Sequence, residues 1–391
     1  MLAKGAKRLR RRKQQQKALE VRHFVRCLSE DIRFVGMKPQ MVKRDGKMHL
    51  NYVARNISAS DHAKIARMIR SRQISKQQAF IRAFEKSFSG LPFVAGKKIQ
   101  LKRIKPTVHI CRTPSDLAIH RYCRLIQTVP SGPRVGRRIA ALVYDVGQHR
   151  PILIGAITLA SPLYSVRARD EFFAWGKSKR IKDAGLRRVM DVSLCMALPP
   201  YNLILSGKLV AMLAASETRS KEFTRRYHDR LLALTTTCAT GLHCPIFNRI
   251  MIRRGGLYRR IGETTGYTGM IFSNDTVTAA RRLIQARRLA KDCSMWNTTR
   301  ILKTAMTYCG IKTGPLFGIG NRKGVYIALL DNHSLQRLRT GRSLQLRDII
   351  TDANAIDFWK ANILSRRLRK PHVLNKIKSY KFRRLRIPRT N

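Results

Sequence analysis

A mixed α/β body, with a helical region before it and basic arms at both ends, is the fold class that three observations predict. β-branched and apolar runs of strand length alternate with segments of helical periodicity. A strand, a turn and a buried helix follow one another between Val189 and Ser216. Lys and Arg crowd both ends, where acids are missing. Over the 391 residues 44% are hydrophobic, as in a folded chain rather than a disordered one. The length allows two or three domains with at least one sizeable core. Composition shifts divide the chain into a basic arm (1–17), a helical region (18–104), an α/β domain (105–364) and a basic tail (365–391).

The arm carries Lys4, Lys7, Arg8, Arg10, Arg11, Arg12 and Lys13 with no acid before Glu20. Such a segment has no core to join and is expected to order only on a phosphate backbone. Glu20–Ile32 reads as a short helix. Two amphipathic segments follow, 60–72 and 75–87, joined at Arg72-Gln73-Ile74; they make either a helix-turn-helix-like pair or an ordinary helical hairpin. Residues 92–105 are rich in Gly and Lys, and Arg112-Thr113-Pro114-Ser115-Asp116 has the form of a helix cap. Strands are expected at 138–145 and 151–159, joined as a hairpin through Val146–Arg150.

The centre of the chain is Val189–Leu198, a strand, then Pro199-Pro200 and an apolar run to Ser216 in which Leu205, Leu209, Met212 and Leu213 recur at helical spacing. Ser206, Gly207 and Lys208 interrupt that run. Lys208 is either a snorkelling lysine at the rim of a core helix or a cation meeting a phosphate where the backbone is bare at Gly207. A charged helix (217–230), a β-branched strand (231–238) and the segment Pro245–Ile250, with Asn248 and Arg249, come next. Arg253, Arg254, Arg259 and Arg260 alternate with glycines and Tyr258, the composition of a loop laid on a nucleic-acid backbone. One more strand is expected at 264–271, then a basic helix at 275–293 with Arg281, Arg282, Arg287 and Arg288. A helix stopped by Gly310, a strand at 324–330 and a helix at 353–364 precede the tail. That tail includes Arg366, Arg367, Arg383 and Arg384, with too few apolar residues to matter to a core.

Charge is the outlying property: 80 Lys and Arg against 22 Asp and Glu, a formal net of +58. A compact body so charged repels itself unless a polyanion neutralises it, and nucleic acid, DNA or RNA, is the expected partner. No apolar run of about 18 residues is present, so no spanning helix or membrane partner is expected. Eight scattered cysteines without a C-x-x-C pair point to reduced thiols and a cytoplasmic compartment. Cys238, His243 and Cys244 lack the spacing and fourth ligand of a zinc site. Neither a metal nor a cofactor is expected. Acids that could serve catalysis are Asp170, Glu171, Asp191 and Glu263, although Arg167 and Arg169 beside the first two suggest structural ion pairs.

Several of these pieces resemble, in order, the DruA family. They are Arg169-Asp170-Glu171-Phe172-Phe173-Ala174-Trp175, Pro200-Tyr201-Asn202 with Gly207-Lys208-Leu209, Thr235-Thr236-Thr237 before Phe247-Asn248-Arg249, Gly324–Leu330, and Phe358-Trp359-Lys360. The likeness spans about residues 105–375. It implies a bacterial protein of the Druantia anti-phage defence system or of a mobile element, with other defence proteins as further partners. The strand–turn–helix unit also resembles part of a GNAT acyltransferase core. There a Gln/Arg-x-x-Gly-x-Gly/Ala turn binds the cofactor pyrophosphate; Ile204–Leu209 lacks the leading cation and the final small residue, which implies a different ligand. Three functions stand in order of expectation: a nucleic-acid binder, a nuclease or transposase-like enzyme using the acids above, and an acyltransferase.

Overall fold

The computed structural model describes residues 2–34, 37–44, 47–52, 67, 70–71, 73–87, 93, 96–127, 136–238, 241–264, 272–294, 296–311, 313–317, 322–341, 349–382 and 385. In chain order these form α1 (Leu2–Phe34), β1 (Pro39–Arg44), β2 (Lys47–Tyr52), α2 (Gln78–Ser87), β3 (Pro106–Ile110), α3 (Pro114–Ile126), β4 (Arg138–Asp145) and β5 (Ile152–Ala160). Next come α4 (Arg167–Phe172), α5 (Lys179–Arg187), β6 (Val189–Ala197), α6 (Ser206–Ala214), α7 (Glu217–Tyr227), β7 (Ala233–Thr237) and β8 (Arg259–Glu263). The last are α8 (Asn274–Ala286), α9 (Thr298–Tyr308), α10 (Gly314–Phe317), β9 (Gly324–Leu329), α11 (Ser334–Thr340), α12 (Asp352–Trp359), α13 (Ser365–Leu368) and α14 (Pro371–Ser379).

The chain forms two compact units. Met1–Ile65 and Gly266–Asn321 make the first; Ala66–Thr265 and Arg322–Asn391 make the second. In the first unit, Phe24, Leu28 and Ile32 of α1 share a core with Leu283 and Ile284 of α8 and Ile301, Leu302 and Met306 of α9. Buried Asp31 accepts from the Ser273 amide (2.8 Å) and from the hydroxyls of Ser273 (3.0 Å) and Thr276 (2.6 Å), tying α1 to the start of α8. The expected short helix at 20–32 is the second half of α1. Its first half runs through the basic arm, because Leu, Ala, Lys, Arg and Gln are all good helix formers. The basic helix expected to reach 293 ends at Ala286, since Arg288 adopts a left-handed φ of 52°. Gly310, at φ 68°, ends α9 as expected. A hairpin that sequence reasoning passed over, β1 with β2, also belongs here.

The second unit is a seven-stranded mixed sheet in the order β3-β4-β5-β6-β7-β9-β8. All neighbours are antiparallel except β6 and β7. Helices cover both faces, and strand alternation assigns the side chains: Ile139, Ala141 and Val143 of β4 join the core under α6, whereas Ala140 and Leu142 join the one under α2 and α3. β5 is buried throughout, which is why it reads as an unbroken apolar run. After half-buried Gly207 and Lys208, helix α6 is buried on every side, with Leu209 to Ala214 within 1% of full burial. Thr113 caps α3 in a reciprocal capping box with Asp116.

Three readings change here. The supposed basic loop at 253–262 contains β8, an edge strand hydrogen-bonded to β9. β3, the opposite edge, had been hidden behind a Gly- and Lys-rich passage. The basic tail is no free arm: Val373 and Ile377 of α14, at i,i+4 spacing, are each 2% exposed in the main core. Beyond α14, Phe382 stacks on Phe93 with centroids 4.9 Å apart. Residues 265–271, and most of the helix expected at 60–72, lie outside the described residues. No described helix is long and apolar enough to cross a membrane.

Candidate nucleic-acid interface

The motif Arg169–Trp175 folds into a closed ionic network. Arg169 is fully buried. Its Nε and Nη2 donate to Asp170 Oδ1 (2.9 and 2.6 Å), Nη1 to the Leu163 carbonyl (2.7 Å) and Nη2 to the Tyr164 carbonyl (3.0 Å). Lys182 Nζ, from α5, donates to the other Asp170 oxygen at 2.8 Å. Burial pulls the Arg169 pKa down, and Asp170 opposes that pull. Asp170 is therefore held by an arginine, as its neighbours suggested. Glu171 turns outward to Arg167 (2.7 Å), Asp191 accepts from the Thr235 hydroxyl (3.3 Å), and Glu263 pairs with Arg260 (2.8 Å). Among the described residues, no three His, Cys, Asp or Glu side chains gather as metal ligands would. None of the described cysteines forms a disulfide; the Cys238 thiol donates to the His243 carbonyl.

The structure divides the expected nucleic-acid contacts into two groups. Some cations turn inward. Arg253 donates to the carbonyls of Leu329 (3.1 Å) and Leu330 (2.9 Å) at the end of β9. Arg281 donates to Cys293 (2.8 Å) and Arg367 to Leu203 (2.8 Å). Half-buried Arg287 lies 5.4 Å from the Tyr308 ring. The Lys208 ammonium donates to the Asn248 carbonyl, and the Asn248 side chain accepts from the Tyr326 hydroxyl at 3.0 Å. Burial lowers the Lys208 pKa, and nearby Arg249 adds to the effect. Arg249, Arg254, Arg259, Arg282, Arg288 and Arg366 are instead exposed, as is Arg260, which pairs with Glu263 (2.8 Å). The side chains of Lys4, Lys7, Arg8, Arg10, Arg11, Arg12 and Lys13, and residues Arg383 and Arg384, lie outside what the structure describes.

Acids, by contrast, are crowded by cations. Glu222 accepts from Arg225 (2.8 Å), Arg226 (2.5 Å) and Arg112 (2.9 Å), and these bonds, led by Arg225, hold its pKa down to about 2 against its burial.

Described residues of the second unit line at least two cavities. One, of about 300 Å³, sits where β6 ends and α6 begins, with Met196, Pro199, Leu205, Lys208 and Ile246 among its walls. The other is an open groove of about 800 Å³ beside the start of β6, walled by Arg137, Tyr164, Arg187, Tyr227 and His228, with Asp183 and Asp229 also on it. Sequence reasoning missed the groove. Its residues come from separate stretches, and in a chain with 80 cations an Arg187-Arg188 pair carries no signal of its own.

The family model described as DruA, Druantia protein DruA, matches residues 56–318. The chain belongs to the DruA family. A curated relative, Druantia protein DruA of Escherichia coli (strain UMEA 4076-1), is 27% identical over 269 residues, which are 64% of this chain and 65% of the relative. The chain thus spans just under two thirds of that relative's length. No solved structure matches. The DruA match takes in the ionic network, the groove, the β6–α6 turn and helices α8 and α9. Gly324–Leu330 and Phe358–Lys360, which carried part of the resemblance, fall beyond it.

Proposed function

We propose that this DruA-family chain is a nucleic-acid-binding component of a bacterial anti-phage defence system, gripping DNA or RNA mainly through the phosphate backbone. The observation that carries the reading is the distribution of charge. Cations exceed acids by 58, and an acid such as Glu222 already has three arginines while seven of the expected contact arginines stay exposed. A polyanion relieves that repulsion. Binding should therefore be salt-dependent, with log K falling about 0.9 per phosphate contact against log salt on duplex DNA. Six or more contacts give a loss on the order of a thousandfold between about 50 and 200 mM salt. The test is a salt titration against several unrelated sequences. A salt-insensitive affinity that depends strongly on sequence would overturn the proposal.

The sheet supports a second reading of its core, as GNAT-like. β6 and β7 pair in parallel only from Val189↔Ala233 to Asp191↔Thr235, while β6 continues to Ala197. Ligands of open α/β sheets bind beyond the carboxyl ends of strands, and the 300 Å³ cavity lies there. Its walls are largely apolar, its one lysine is bonded to Asn248, and the Ile204–Leu209 turn departs from the pyrophosphate pattern. Fold and acyl-CoA chemistry therefore separate, and isothermal titration with acyl-CoA would tell them apart. The nuclease reading has less support: Asp170 is engaged by Arg169 and Lys182, and Glu171 faces away toward Arg167.

A further inference from the structure

The loop between β5 and α4 displays two adjacent exposed apolar side chains, Leu163 (60% exposed) and Tyr164 (54%). It is nonetheless firmly held. The fully buried guanidinium of Arg169 donates to both of their carbonyls, and Asp170 and Lys182 complete the network around it. Taking charges out of water is expensive, and an apolar core could hold a loop as well. What this network adds is a defined orientation for the loop backbone, and so for the Tyr164 ring.

One face of that ring is backed: Lys182 Nζ lies 4.5 Å from its centroid. Tyr164 keeps 54% of its surface exposed and is one of the walls of the 800 Å³ groove. Tyr227 stands on the same groove, with the Arg137 guanidinium 5.6 Å from its ring. Arg137 is itself fixed by the carbonyls of Leu186 (2.8 Å) and Val189 (3.1 Å). Exposed Arg187 supplies positive charge to the groove, and exposed His228 lies on it too. Asp183 and Asp229 face the groove too, which suits amino-bearing base edges better than phosphates.

We infer that Tyr164 is a stacking platform for an unpaired base, and that the groove takes single-stranded nucleic acid. This rests on the nucleic-acid reading above and names the form of the ligand. In a duplex the base faces are already stacked on one another, so only an unpaired base can cover an open aromatic ring.

The experiment compares the full chain with Tyr164→Ala and Tyr164→Phe. The probes are a labelled 20-nucleotide single-stranded DNA, the RNA of the same sequence, and the matching DNA duplex. Melting curves confirm folding, which an exposed side chain should not disturb. Loss of one stacked base predicts about 5- to 150-fold weaker binding of single strands by Tyr164→Ala, with duplex binding within about twofold of the parent. Tyr164→Phe should bind like the parent, because the ring persists. A 5-bromouracil oligonucleotide should photocrosslink to Tyr164. Loss confined to the DNA or to the RNA strand supports the inference and identifies the ligand. Undiminished single-strand binding by Tyr164→Ala, or equal loss on single strand and duplex, overturns the stacking role while salt-dependent binding leaves the broader reading standing. A parent chain that binds none of the three probes overturns both.

Discussion

Replacing Arg169 by methionine keeps most of the side-chain volume and removes the buried charge. Four hydrogen bonds disappear: two to Asp170, and one each to the carbonyls of Leu163 and Tyr164. Removing one partner of a buried ion pair typically costs about 3–5 kcal/mol, because the other is left uncompensated. Asp170 keeps Lys182 at 2.8 Å and the Val166 amide at 3.3 Å, so the loss belongs at the lower end, about 3 kcal/mol. For a body of this size that corresponds to a melting temperature lower by about 6–12 °C. Arg167→Met is the internal control. It removes an ion pair whose side chains are 72% and 62% exposed, and such solvent-screened surface pairs contribute little to stability. Differential scanning calorimetry of both variants, at one salt concentration and free of nucleic acid, is the measurement. If Arg169→Met melts within about 2 °C of the parent, or if Arg167→Met loses as much, the network does not hold the loop and the argument fails.

Other outcomes follow from the same structure. Burial lowers the His120 pKa to about 4 from 6.5, and bonds led by Arg225 lower that of Glu222 to about 2 from 4.5. Both folded-state values are depressed, so these contributions to stability are complete above the unfolded values and vanish as pH falls; melting temperature should decline from about pH 6.5 downward, and His120→Gln should flatten the upper part of that decline. Gly147→Ala should destabilise the second unit by several kcal/mol, or about 1–3 if the backbone can shift, since an added Cβ would overlap the Arg103 carbonyl oxygen; chemical denaturation would show it. Arg253→Gln should lower stability through the freed carbonyls of Leu329 and Leu330, whereas exposed Arg254→Gln should leave melting unchanged and make the salt dependence of nucleic-acid binding shallower by about one phosphate contact; reversal of these two results would sink the inward–outward division. Deleting residues 2–17 should likewise reduce the salt slope without unfolding the first unit, whose core begins at Phe24; deleting 366–391 should instead unfold the second, because Val373 and Ile377 leave its core.

Local patterns determined a good part of this protein in advance. The strand, turn and buried helix from Val189 to Ala214, the β4–β5 hairpin, the Thr113 cap and the stop at Gly310 were legible because periodicity, caps and glycine act over a few residues. So was the arginine holding Asp170, which is its sequence neighbour. The edge strands were not legible: β8 is five residues long and opens on two arginines, so its composition speaks for a loop until β9 pairs with it. Nor could the sequence say that 266–321 joins α1, or that the tail enters a core, because those depend on partners far away in the chain. Above all, arginines that look alike in sequence have opposite roles. Arg253 and Arg367 hold carbonyls 76 and 164 positions away, while Arg254 and Arg366 beside them are exposed. A guanidinium is equally able to bond a backbone carbonyl or a phosphate. Which one it meets depends on where the fold puts it, and only the tertiary structure decides that.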